Sequence, residues 1–187
     1  MSARLSSFRI ARDAIMIAEL LAVGALVVQW RHGVRRDILG YLMNELAWET
    51  EHSVSTEASP EFVWAYMSDV ANWDDPPAQF RLEGVFVTGG RGTTEMPGQP
   101  PRHWQLRDVQ PIESYTIEFP LDRAVLSFVW RFRPLPDYGT RLTQRVTLEG
   151  ENASAYLADV QAAFASNLAA GMNKIARMMN QAYTATA

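Results

Sequence analysis

The chain offers little reactive chemistry. It has three histidines (His32, His52 and His103), a single lysine (Lys174) and no cysteine. Thiolate nucleophiles, disulfides and Cys-based metal sites are excluded, and Schiff-base chemistry rests on Lys174 alone. The histidines fall in different segments and show no metal-ligand spacing, so no metal and no cofactor is expected. What remains is proton transfer and hydrogen bonding. Gln144 is the most informative residue, because it takes an inward place on a strand face otherwise made of Leu142, Val146 and Leu148. A buried amide without a partner is costly, so Gln144 is expected to bond a neighbour, a water or a ligand. His52 shares a face with Val54 and, titrating nearest neutral pH, is a candidate general base, with a place at the rim as the alternative. Tyr66 and Asn167 are candidates for orienting a carbonyl or enolate oxygen, and surface or capping roles stay open for both. No triad emerges among the four. Asp69 is expected to tie down a helix end. Gly89-Gly90-Arg91-Gly92 lacks the lysine and the strand-to-helix context of a phosphate loop and reads as a turn.

Alternation and helical spacing set out the elements that must hold these groups. Thr50 to Ala58 alternates as a half-buried strand with His52, Val54 and Thr56 on one side. Ser59-Pro60 then opens a short helix running to about Asp69, with a further turn from Val70 to Trp73 that ends at Asp74-Asp75-Pro76-Pro77. Gln79 to Val87 reads as a strand with a bulge at Gly84. The stretch GGRGTTEMPGQPPR, with its glycines and prolines, has room for a short strand near Thr93 to Met96 and otherwise reads as a mobile lid. Strands follow at His103 to Val109, Ser114 to Leu121, Val125 to Arg133 and Thr140 to Glu149, so close in sequence that they must be antiparallel. After Gly150 the period changes. Ala153 to Thr184 is expected to be one amphipathic helix roughly 45 Å long.

Two sequence regions differ in charge. The formal net charge is -4, whereas residues 1–40 hold six Arg against Asp13, Glu19 and Asp37, a local +3. No basic stripe follows in the remainder, which argues against nucleic acid. From Ala14 to Trp30 the chain is nearly all apolar. A membrane span would be about 25 Å long, short of a bilayer core, and would contain Glu19. A signal peptide lacks a small-residue cleavage site. A helix buried against protein, paired with Asp37 to Trp48 in a hairpin, is the favoured reading. Residues 1–48 are therefore expected to form an apolar helical extension and 49–187 a separate domain. A homo-oligomer or membrane contact through residues 14–30 stays open, and a cytoplasmic location is expected, with membrane association through the N-terminal segment as the alternative.

One strand, two short helices, a run of antiparallel strands and a terminal helix form an unusual order. ASPEFVWAYMSDVANW and WRFRPLPDYGTRLTQRVTLEG add specific likeness. Together they resemble the SRPBCC or START-like superfamily, the helix-grip fold, and within it the polyketide cyclase/dehydrase-like subgroup. The resemblance implies an α+β domain whose seven-stranded curved antiparallel sheet wraps a long C-terminal helix around a cavity for an apolar small molecule. Inward alternation would then put Phe80, Leu82, Trp104, Leu106, Tyr115, Ile117, Phe119, Phe128, Trp130, Phe132, Leu142, Val146 and Leu148 on the lining. Met67, Trp73, Phe164, Leu168 and Met172 would come from the helices and their turn. It also implies cofactor-independent cyclisation or dehydration of a polyketide-like substrate, with a carrier or sensor of a lipid, quinone or pigment as the alternative.

Overall fold

The computed structural model describes residues 46–73, 76–165 and 167–186. Residues 1–45 of the expected N-terminal extension, including the apolar stretch 14–30, lie outside the described residues. Seven strands form one antiparallel sheet: β1 (Leu46–Thr56), β2 (Gln79–Glu83), β3 (Arg91–Glu95), β4 (Arg102–Gln110), β5 (Ser114–Leu121), β6 (Ala124–Pro134) and β7 (Thr140–Glu149). Their order across the sheet is β1-β7-β6-β5-β4-β3-β2, so the first and last strands in sequence lie side by side. Helix α1 (Pro60–Ser68) and a 3-10 turn (Val70–Asn72) link β1 to β2, and helices α2 (Leu157–Phe164) and α3 (Asn167–Thr186) close the chain.

Local chemistry accounts for these boundaries. Ser59 caps α1 by accepting from the Phe62 N–H, with Pro60 in the first turn, where its missing N–H costs nothing. The Asp69 carboxylate accepts from the Ala71 N–H at 3.0 Å and starts the 3-10 turn. Strands β6 and β7 alternate in burial along nearly their whole length, because one face meets the helices and the other meets solvent. The curved sheet thus grips α3 in an α+β arrangement, as expected.

Four expectations give way. The terminal helix is two segments: α3 has 20 residues and spans about 30 Å, short of the 45 Å expected for one continuous helix. One stripe of buried residues (Val160, Phe164, Leu168, Met172, Ile175 and Met179) runs through both segments, and side-chain periodicity of this kind does not report a backbone division. Strand β2 stops at Glu83. Gly84 ends it at φ +93, a conformation open to glycine, so there is no bulge and no strand to Val87. The glycine-rich run is not a turn throughout, since Arg91 and Gly92 belong to β3. That strand pairs with β2 on one side and β4 on the other, so the centre of the expected lid is interior sheet. Finally, β1 begins at Leu46, ahead of Thr50, with a register irregularity between Leu46 and Trp48, so these residues, expected at the end of the helical hairpin, pair with β7 instead.

Candidate functional site

Register brings the chemistry together. His52 on β1 pairs with Gln144 on β7, Gln144 with Trp130 on β6, and Trp130 with Tyr115 on β5. Directly opposed residues of an antiparallel sheet share a face, so these four side chains form one row across the concave surface. Neighbouring strands lie about 4.8 Å apart, which puts the Gln144 and Tyr115 backbones roughly 10 Å apart. Tyr115 and Gln144 are each 1% exposed, and His52 is half-buried at the edge-strand end of the row.

Aromatic rings cover this row. Trp64 of α1 meets Tyr115 edge-on at 6.3 Å and Phe132 at 6.5 Å. Phe86, in the loop after β2, meets Tyr115 edge-on at 4.9 Å. Tyr115 stacks on Trp130 at 6.3 Å. From Phe86 the series continues to Trp73 at 6.3 Å and on to Trp104 at 5.7 Å, with Phe80 edge-on to Trp73 at 5.8 Å. The Trp73 indole N–H donates to the Met67 carbonyl at 2.9 Å, fixing the ring. Trp104 lies flat on β3 because its neighbour Gly92 has no side chain: a Cβ there would sit 2.1 Å from the indole.

Polar atoms inside this aromatic layer stand out. Among the described residues, Tyr115 Oη, Gln144 Oε1, Trp104 Nε1 and Thr94 Oγ1 are buried without a protein hydrogen-bond partner. Buried polar atoms normally have one, so four on one face is a signal rather than background. Burial pushes the Tyr115 phenol pKa well up, so the hydroxyl stays protonated and can donate. Arg102 is half-buried opposite Thr94 at the start of β4, and desolvation lowers its pKa.

The other expected residues divide by position. Met67, Trp73, Ile117, Phe119, Phe128, Phe132, Leu142, Val146, Phe164, Leu168 and Met172 are buried in the same core, and Phe80 and Leu82 pack against it half-buried. Phe119, Phe128 and Phe164 form their own cluster, at 5.7 and 5.5 Å. Tyr66 is half-buried on α1 and stacks on Phe62 at 6.1 Å. Asn167 is half-buried at the start of α3. Register therefore pairs His52 with Gln144, whereas Tyr66 and Asn167 sit on the helices. Trp64 and Thr94 were not anticipated, and Phe86, which alternation groups with Phe80 and Leu82, is a further ring beyond the expected lining. Trp64 was visible in the helical spacing of FVWAYM, and Thr94 in the two-residue step from Gly92. Among the described residues no group of three or more His, Asp or Glu is placed to hold a metal, and no helix is long and apolar enough to cross a membrane.

Residues 47–180 match the family described as polyketide cyclase / dehydrase and lipid transport. The chain belongs to that family. No curated protein matches it. Among solved structures, this family member is similar to the Zhui aromatase/cyclase from Streptomyces sp. R1128, with 18% identity, a TM-score of 0.54, and 72% of this chain and 94% of that one covered. It is also similar to protein Ms6760 from Mycobacterium smegmatis, with 19% identity, a TM-score of 0.53, and coverage of 78% and 97%. Protein TTHA0849 from Thermus thermophilus gives 16% identity, a TM-score of 0.52, and coverage of 72% and 97%. At these identities the likeness is one of fold alone.

Proposed function

We propose that the domain binds an apolar small molecule between the concave sheet face and its covering helices, and assists its cyclisation or dehydration without a cofactor. The observation that carries this reading is the set of buried polar atoms without protein partners on an aromatic surface. An inert core would place hydrocarbon there, whereas a site for an oxygen-bearing substrate needs such atoms, since each can take a partner from bound substrate.

The chemistry asked of the row is modest. In an aldol-type closure a base takes a proton from carbon, the enolate carbon bonds to a second carbonyl carbon, and that carbonyl's oxygen receives a proton. Loss of water then gives the dehydrated ring. His52 is assigned as the base, and Gln144 opposite it holds the reacting part of the chain. Tyr115, kept neutral by burial, donates to the carbonyl oxygen where negative charge develops. Holding a flexible chain in a reactive shape supplies much of the acceleration, up to roughly 7–11 kcal/mol in well-oriented systems. Tyr66 and Asn167 remain secondary candidates for orienting an oxygen.

A single experiment separates catalysis from carriage of a lipid, quinone or pigment. The protein is supplied with a linear poly-β-ketone analogue, and product formation and affinity are measured for the wild type, His52→Ala and Gln144→Leu. Catalysis predicts turnover losses of roughly tenfold to a hundredfold with affinity changed less than about threefold. Equal losses in both quantities, or analogue recovered unchanged, would speak for a carrier.

A further inference from the structure

The loop between β2 and β3 shows two unlike sides. Its inner side is Phe86, edge-on to Tyr115. Its outer side is Val85 and Val87, 69% and 49% exposed. The Val109 N–H donates to the Thr88 hydroxyl at 2.9 Å, and Gly89 and Gly90 exchange backbone hydrogen bonds with Leu106, each of 2.8 Å. These bonds tie the loop to β4, next to the β4–β5 turn and its exposed Ile112. Ile112 stands at φ +68, a conformation that a β-branched residue adopts only at a cost and that glycine or asparagine would take more easily. Three of the five exposed large apolar side chains among the described residues thus belong to one loop and the turn beside it. A single exposed valine is ordinary, whereas such a group marks a docking surface.

The chain itself holds a segment of matching character in its nearly all-apolar residues 14–30. Residues 1–45 carry six Arg against Asp13, Glu19, Asp37 and Glu45, a net +2, so a total of -4 leaves -6 on residues 46–187. Glu83 just before the loop and Glu113 just after Ile112 are exposed, and neither takes part in an ion pair among the described residues. Arg91 opposes Glu83 in register. Leu46, where β1 begins, is at the other end of the sheet. Residues 31–45 reach up to about 50 Å when extended, more than the roughly 36 Å of the 11-residue strand β1. Tethering holds the segment at roughly millimolar local concentration, against which a second copy at micromolar concentration competes poorly. Two copies would also bring like-charged domains together. We propose that the apolar stretch 14–30 docks on Val85, Val87 and Ile112 of its own domain, with its flanking arginines toward Glu83 and Glu113. So placed, the segment backs the loop that holds Phe86 over Tyr115, and on the reading of the concave face as a ligand site it braces one of that site's covers.

Because the chain has no cysteine, introduced pairs report on this contact without background. Full-length proteins carrying Val87→Cys with Ala18→Cys, Ala22→Cys or Ala25→Cys are oxidised with diamide, and internal disulfides are followed by mobility on non-reducing gels. At least one pair should close about tenfold or more faster than the same segment cysteine paired with Asp122→Cys, in the β5–β6 turn at the opposite end of the sheet. Val85→Asp should slow that closure by a similar factor, in proteins whose circular dichroism shows them folded. Equal rates to both positions, or closure insensitive to Val85→Asp, overturns the proposal. Disulfides that form only between chains overturn it in favour of a second copy, and closure that needs added vesicles of anionic lipid overturns it in favour of a bilayer. None of these readouts involves a ligand, so their failure leaves the proposed function standing, and failure of the turnover experiment leaves this docking in place.

Discussion

Two rows of the concave face, one step apart on the same three strands, are built to opposite specifications. Ile117, Phe128 and Val146 face one another across β5, β6 and β7. All three are buried, and Phe164 of α2 caps them through Phe128. Two residues along each strand, about 7 Å away, stand Tyr115, Trp130 and Gln144, equally buried but covered by Trp64 and Phe86 and holding polar atoms without protein partners. Burial alone does not tell the rows apart, and what separates them is whether each buried atom has its partner inside the protein. The first row holds the fold together, and the second is the one we propose for an outside molecule.

Breaking the hydrocarbon row should have the largest effect. Phe128 is fully buried between Phe119 and Phe164, so Phe128→Ala should cost about 3–5 kcal/mol, measured by urea denaturation. Gln144→Leu, one row away, should keep stability within about 1 kcal/mol of wild type or raise it, because an unpartnered acceptor is replaced by hydrocarbon of similar size. A loss as large as that of Phe128→Ala would mean that both rows serve the fold alone. The smallest effect is pH-dependent. Burial raises the Tyr115 pKa in the folded state, so the folded protein holds this proton more tightly than the unfolded chain does. The associated stability is fully present below the unfolded value of about 10 and is lost as pH rises beyond it. Stability should therefore fall more steeply above about pH 10 in the wild type than in Tyr115→Phe.

Much of this contrast could be read from sequence. Strict alternation in Val125 to Arg133 and Thr140 to Glu149 identified the inward residues, and Gln144 stood out because its neighbours on that face are Leu142 and Val146. The pairing of His52 with Gln144 could not be read in this way. β1 and β7 are joined by long-range register, set by the whole sheet rather than by a turn between them. Trp64 was missed because its role is to cover another element. A helix stripe marks Trp64 as packed without saying against what, and the alternation that groups Phe86 with Phe80 and Leu82 does not show that Phe86 meets Tyr115 from a loop beyond the end of β2. The division between α2 and α3 escaped notice because one apolar stripe serves both.

The central claim is that the second row meets its hydrogen-bonding partners in a bound molecule. A crystal structure of the protein with the linear poly-β-ketone analogue tests it most directly. The ligand should lie against Trp130, with oxygen atoms within about 3.2 Å of the Tyr115 hydroxyl and the Gln144 amide. A solid interior that excludes the ligand, with both polar atoms bonded to protein or to enclosed water, would contradict the account.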